Sequence, residues 1–175
     1  MARGYELMVS SAAARAVFDV IPEEYATYCS LVSQVLARTL HRFEVTARLQ
    51  SCQLWHVAPR ENHVVGFMGN APRQGKWDGH VVCRTHSFLL DGAVRNLQRD
   101  FNLTVPKVAL VAAFNAPSHV IARLDLDQSR ALWWHDAPEG FDTLPPRQPI
   151  GMIEHFVRDL VAKVDDVMRS APLLC

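Results

Sequence analysis

Residues 27–43, TYCSLVSQVLARTLHRF, constrain this chain more than any other stretch. Cys29, Val32, Leu36, Leu40 and Phe43 recur at the three-to-four spacing of one helical face, and Leu31 and Val35 form a second apolar face. Ser30, Ser33 and Ala37 are small and let neighbours pack closely. A helix that is apolar on several sides belongs in the middle of a domain, so the rest of the chain must cover it. The chain has 175 residues, 49% apolar and 21% charged, which suffices for a single domain over residues 1–175 with a substantial core.

The cover is legible on both sides of that helix. Residues 10–20, SSAAARAVFDV, read as a short helix, and Pro22-Glu23-Glu24 reads as the opening of the next one, with proline in the first turn and acids at the positive end. After Phe43 the period changes to the alternation of strands. EVTARLQSCQLWHVAP, HVVGFMG, GHVVCRTHSFLLDG, VPKVALVAAF, SHVIARLDLD and RALWWHDAP form the strand run, the last two as a pair, and Trp133-Trp134 caps a sheet edge. DTLPPRQPIG is a loop. PIGMIEHFVRDLVAKVDDVMR closes the chain as an amphipathic helix with Ile153, Phe156, Leu160, Val164 and Val167 on one face. Helices, then strands, then a helix give an α+β fold: a buried Cys-bearing helix on a mainly antiparallel sheet, with a C-terminal helix.

The hairpin raises the functional question. His80 opens its first strand and Asp91 ends its second. A turn at Thr85-His86, or a four-residue loop over 84–87, makes 80 and 91 direct cross-strand partners, with Cβ atoms roughly 5 Å apart. A turn at His86-Ser87 pairs 80 with 93 instead. In the first register His80, Val82, Leu89 and Asp91 share a face, which is expected to be the face on which the Cys29 helix packs. A carboxylate beside an imidazole fixes its tautomer and stabilises the imidazolium. Each residue alone has an ordinary structural role: buried small hydrophobe for Cys29, satisfied core imidazole for His80, turn former for Asp91.

The group such a pair would serve is a nucleophile. The chain has four cysteines, Cys29, Cys52, Cys83 and Cys175, without C-x-x-C spacing; reduced thiols in a cytoplasmic compartment are expected rather than a disulfide framework or a zinc knuckle. Cys83 falls on the opposite face from His80, Cys52 lies in a strand and Cys175 is the last residue. Cys29 stands near the start of the central helix, where the dipole and an imidazolium both favour a thiolate, whereas a helix unbroken from Pro22 puts it two turns in and removes the dipole advantage. Cys29, His80 and Asp91 are therefore the candidate nucleophile, base and orienter. Trp55, Trp77 and Phe67 are candidate walls of a substrate cleft, although core packing is the ordinary role of each.

The order of these residues, with YCSLVSQVLARTLHRFEVTARLQS as a Cys helix running into a strand and GHVVCRTHSFLLDG as the His and Asp strands, resembles the transglutaminase-like and arylamine N-acetyltransferase branch of the papain-like cysteine fold. The resemblance covers roughly residues 22–98, a core that bacterial families also share. It implies a cysteine hydrolase or acyltransferase that forms a thioester on Cys29 and acts on a peptide, amide or acyl substrate without a cofactor. The chain departs from that branch in two places. His41-Arg42-Phe43 stands where glycine is usual, and PEEYATY before Cys29 lacks the glutamine of papain-like peptidases. The Cys29 backbone N–H is left as the one named oxyanion donor.

The remaining classes are disfavoured. Lysine plus arginine and aspartate plus glutamate balance at 18 each, so no basic field favours nucleic acid or an anionic membrane. No segment is long enough to span a bilayer and the N-terminus does not read as a signal peptide. Eight histidines include no H-x-x-x-H pair, so no metal ligand is assigned. The alternative to an enzyme is a non-catalytic binding or interaction protein on the same scaffold.

Overall fold

The computed structural model describes residues 3–68, 77–114, 119–141 and 143–170. Within them the chain runs α1 (Arg3–Val20), a 3-10 turn (Glu23–Tyr25), α2 (Cys29–Arg42), β1 (Ala47–Val57), β2 (His63–Val65), β3 (His80–Thr85), β4 (Phe88–Asp91), α3 (Asn96–Phe101), β5 (Ala109–Ala112), β6 (Val120–Asp125), β7 (Ala131–Asp136) and α4 (Ile150–Ser170). Every described strand pair is antiparallel, and the fold is α+β with a C-terminal helix. The short helix α3, between the hairpin and β5, has no counterpart in the sequence reading; six residues are too few to show a helical period.

The strand order is β5-β4-β3-β1-β7-β6. β1 carries β3 along its first half and β2 along its second, with β7 on its other edge. The outer strands then meet: Ala113 bridges to Ala122, and the Phe114 N–H donates to Ile121 O at 2.7 Å. The sheet thus rolls up and has an outside and an inside. Leu36 and Leu40 of α2, Cys83 and Leu90 of the hairpin, and Phe156 and Leu160 of α4 form the outside core. Leu54, Val82, Leu89, Leu132 and Trp134 fill the inside. α4 packs on α1 and α2, burying Ile153, Phe156, Leu160 and Val164, while Val167 stays partly exposed at 37%.

Two expectations about the hairpin are corrected. Its register is Cys83↔Leu90 and Arg84↔Leu89, so the turn lies at His86-Ser87 rather than Thr85-His86. The Thr85 hydroxyl closes that turn, accepting from the Phe88 N–H at 2.9 Å and donating to Phe88 O at 3.1 Å. Glu6 of α1 clasps it from outside, accepting from the Ser87 N–H at 2.8 Å and the Ser87 hydroxyl at 3.0 Å. The parity of the strands survives, so His80, Val82, Leu89 and Asp91 still share a face. That face is the inside one, whereas α2 lies on the outside with Cys83 and Leu90.

α2 nonetheless lies very close to the sheet. The Ser33 hydroxyl donates to Val81 O at 2.9 Å. A Cβ on Gly92, just past β4, would lie 2.3 Å from Val32 Cγ1, so no larger residue allows this approach. Trp133-Trp134 do not cap an edge either. They lie on β7, between β1 and β6, and Trp134 is fully buried on the inside.

Candidate functional site

The site forms at one end of the sheet, where outside and inside meet. α2 begins at Cys29 and not at Pro22, which instead opens the Glu23–Tyr25 turn. Cys29 therefore sits in the first turn of α2, with Val81 and Ala93 packed against it. Its Sγ lies 3.9 Å from the carbonyl oxygen of Gly79, the residue before His80. His80 is the first residue of β3, so its ring reaches the same strand end from the inside. The helix and the imidazole approach each other around the end of β3, not across one face.

His80 and Asp91 are both fully buried, and His80 Nε2 lies 2.7 Å from Asp91 Oδ2. In the observed register the two are diagonal rather than direct partners, a separation that long side chains bridge. Burial alone pushes the His80 imidazole down; the charge of Asp91 and its hydrogen bond outweigh burial, with Cys29 adding, and raise it to about 10. His80 is thus an imidazolium at neutral pH. With Nε2 engaged by Asp91, Nδ1 is left buried without a hydrogen bond of ordinary geometry. Such loose alignment is common in unliganded catalytic sites.

The supporting groups were not legible in the sequence. The Trp134 indole N–H donates to Asp91 Oδ2 at 2.8 Å, and the Ala93 N–H donates to Oδ1 at 2.9 Å. With His80, three N–H groups hold the carboxylate, which satisfies a buried charge. Trp134 comes from β7, 43 positions away; its only sequence signal is that it alternates with Leu132 on a buried face. Gly66 supplies a second constraint. Its φ is +88°, and a Cβ there would lie 2.7 Å from the His80 nitrogen and 2.8 Å from its Cβ. Only glycine lets this segment lie against His80.

A cleft of about 590 Å³ opens over Cys29. The start of α2 forms one side, Val64, Val65, Gly66 and Met68 another, and Trp77 to Gly79 a third. Asn96, Arg99 and Asp100 of α3 face them, and Pro146 closes the rim, its carbonyl oxygen accepting from the Ser30 hydroxyl at 2.9 Å. Of the three expected wall residues, Trp77 lines the cleft. Phe67 does not; it is buried behind, edge-on to Trp77 at 5.8 Å. Trp55 is not among the lining residues; its ring is tilted against that of His135 at 5.6 Å, and on β1 it pairs with Trp133 of β7 and Val64 of β2.

The thiols separate by environment. Cys52 is the cross-strand partner of His80 and fully buried, and burial pushes its thiol well up. Burial likewise pushes Cys83 up to about 12. Both are held protonated, and protonated thiols are poor nucleophiles. Cys29 alone of the described cysteines lines the cleft, with 8% of its surface exposed. Arg99 of α3 lines the same cleft and is raised chiefly by its hydrogen bond to Asp100. The backbone N–H of Cys29, named above as the oxyanion donor, is directed at Thr27 O at 3.0 Å. Cys175 lies outside the described residues.

Among the described residues no three of His, Cys, Asp and Glu are placed to hold a metal ion, and no helix is long and apolar enough to cross a membrane. No protein-family model, curated protein or solved structure matches this chain.

Proposed function

We propose that this chain is a cysteine-dependent acyl-transfer enzyme on a papain-like, transglutaminase-like core, with Cys29 as nucleophile, His80 as proton carrier and Asp91 as orienter. One observation carries the reading. A fully buried imidazole gives Nε2 to a carboxylate and leaves Nδ1 unpartnered, beside the one described thiol that lines a cleft. The ring is held at one nitrogen by Asp91, and Cys29 is the other side chain that acts on it.

The chemistry follows from those positions. The Cys29 thiolate attacks the carbonyl carbon of an amide or ester, with the His80 imidazolium as its counter-ion. As the tetrahedral intermediate collapses, the C–N or C–O bond breaks and Nδ1 of His80 gives its proton to the leaving group, leaving an S-acyl Cys29. Water or an amine then attacks the thioester carbon. His80 takes the proton of that attacking group, the C–S bond breaks, and Cys29 leaves as thiolate. Asp91 stays ionised throughout and keeps the ring oriented. A hydrolase results when water resolves the thioester and an acyltransferase when an amine does.

The test is acylation by an activated ester. Native protein exposed to p-nitrophenyl acetate at neutral pH is expected to carry the acetyl group on Cys29, mapped by mass spectrometry, and to lose it on standing or on adding an amine. His80→Ala is expected to slow acylation at Cys29, with circular dichroism checking that the fold survives the loss of one partner of a buried pair. If Cys29 is acylated only after denaturation, it is a core residue, and the chain is a binding or interaction protein on this scaffold.

A further inference from the structure

The central strands carry a second charged group at the end away from Cys29. Arg84 lies four residues along β3 from His80, and Arg48 lies four residues before Cys52 on β1, about 13 Å away by strand rise. Arg48 and Arg84 are direct cross-strand partners, so both side chains leave the sheet on one face. Like charges placed that way repel and destabilise the pairing. Arg84 is 7% exposed, and its guanidinium donates to Gln50 Oε1 and to Phe114 O, both neutral acceptors at 2.8 Å. Burial lowers it first and Arg48 second, with Asp136 opposing. Asp136 is engaged by Gln50, accepting from its Nε2 at 2.8 Å. Among the described residues Arg48 itself makes no hydrogen bond or ion pair. A hollow of about 250 Å³ opens over the two arginines, with Thr46, Ala47, Thr85 and His86 completing its described lining. No acid is among them. Glu6 feels the charge of His86 but commits both oxygens to Ser87.

From these observations we infer that Arg48 and Arg84 form a binding site for a phosphate group, free or carried on a small monoester, separate from the Cys29 cleft. A cation directly opposite a buried cation weakens the β1–β3 pairing until an anion enters between them. Guanidinium forks match phosphate oxygens two at a time, and a dianion answers two cations where a single carboxylate answers one. The hollow admits a phosphate with a small substituent and is too small for a polymer. Arg84 forms its floor, while Arg48, Thr46 and His86 stand exposed at its rim. This site does not depend on the chemistry proposed for Cys29.

Thermal unfolding and isothermal titration of the full chain test the site. The probes are inorganic phosphate, methyl phosphate and acetate, each replacing sodium chloride at constant ionic strength slightly above neutral pH. Phosphate is expected to raise Tm progressively with its concentration, and acetate to leave Tm where chloride does. Tighter binding of methyl phosphate supports a monoester as the ligand, and equal or weaker binding supports the free anion. Arg48→Gln removes the exposed cation and leaves buried Arg84 with its own bonds. It is expected to weaken phosphate binding about tenfold or more, the loss of one charge-assisted hydrogen bond. In chloride alone the same variant is expected to unfold at a higher temperature than the parent, because the repulsion is gone. Arg48→Lys keeps the charge and is expected to bind phosphate within about threefold of the parent, weaker only by the lost fork. A phosphate response no greater than that of chloride overturns the inference, as does one unchanged in Arg48→Gln. Equal stabilisation by acetate reduces the effect to charge and also overturns it. A lower Tm for Arg48→Gln in chloride makes the arginine pair structural, with the same consequence.

Discussion

Two buried histidines share the inside of the sheet and illustrate opposite fates of an imidazole removed from water. His80 is fully buried and His56, four residues along β1 from Cys52, is 2% exposed. His80 has Asp91 at 2.7 Å and is raised to about 10. His56 has no partner at either ring nitrogen, and burial lowers it, with His63 and Arg130 pushing the same way and Asp127 opposing. The carboxylate, not burial, decides the sign. A buried histidine is a candidate for chemistry when its environment commits one nitrogen and leaves the other beside a reactive group. His56 commits neither, and its ring neighbour is another imidazole, His63, at 5.8 Å.

The largest way to break this contrast is to remove the carboxylate. Asp91→Ala strands a buried imidazolium together with the Trp134 and Ala93 N–H groups, and is expected to cost about 3–5 kcal/mol in chemical denaturation. Asp91→Asn keeps the shape. It is expected to cost less than Asp91→Ala, losing the ionic contribution of the pair but keeping its packing, and to slow Cys29 acylation at least about tenfold, because an amide no longer favours the imidazolium or the required tautomer. Equal acylation rates in Asp91→Asn and the parent would remove Asp91 from the site.

Stability against pH separates the two histidines directly. His80 binds its proton more tightly folded than unfolded, so its contribution is complete below the unfolded value near 6.5 and is lost as pH rises toward about 10. His56 is lowered on folding, so its contribution is complete above about 6.5 and is lost as pH falls through its folded value. Urea midpoints measured across the range are expected to decline on both sides. Asp91→Asn is expected to flatten the alkaline limb and His56→Phe the acid one. An alkaline limb that persists unchanged in Asp91→Asn contradicts the pairing as the cause.

Trp134→Phe probes the support of the pair at a smaller scale. The ring volume is largely kept and one N–H to a charged oxygen is lost, so about 1.5–3 kcal/mol of stability is expected to go. Cys29 acylation should slow as well, since Asp91 loses one of its three fixed donors. A loss of stability with an unchanged acylation rate and pH profile assigns Trp134 to packing alone. The smallest effect is expected at His56 itself. Exchanging an unpartnered imidazole for an apolar ring of similar shape should change stability by less than about 1 kcal/mol and leave Cys29 acylation untouched. A slowed acylation in His56→Phe would show that the two regions are coupled after all.

Local pattern alone determined much of this protein. The two-faced apolar spacing after Cys29 demands a buried helix, the alternation from Val45 onward demands strands, and the order Cys, His, Asp was visible because each sits at the end of an element. Strand parity also placed His80 and Asp91 on one face whichever turn formed, since a two-residue shift in pairing preserves parity. The tertiary structure decided what depends on distant partners. Glu6 of α1, 81 positions away, holds Ser87 at the hairpin turn. Trp134, Gly66 and Asn96 reach the site only because the sheet rolls up and α3 crosses its end, and no periodicity marks such residues. α2 lies outside a sheet whose inside carries His80, and the two meet only because both elements begin at the same edge. A repeat of 3.6 or 2 residues reports which way a side chain points within its own element. It carries no information about which element lies opposite, and a catalytic geometry is a relation between elements.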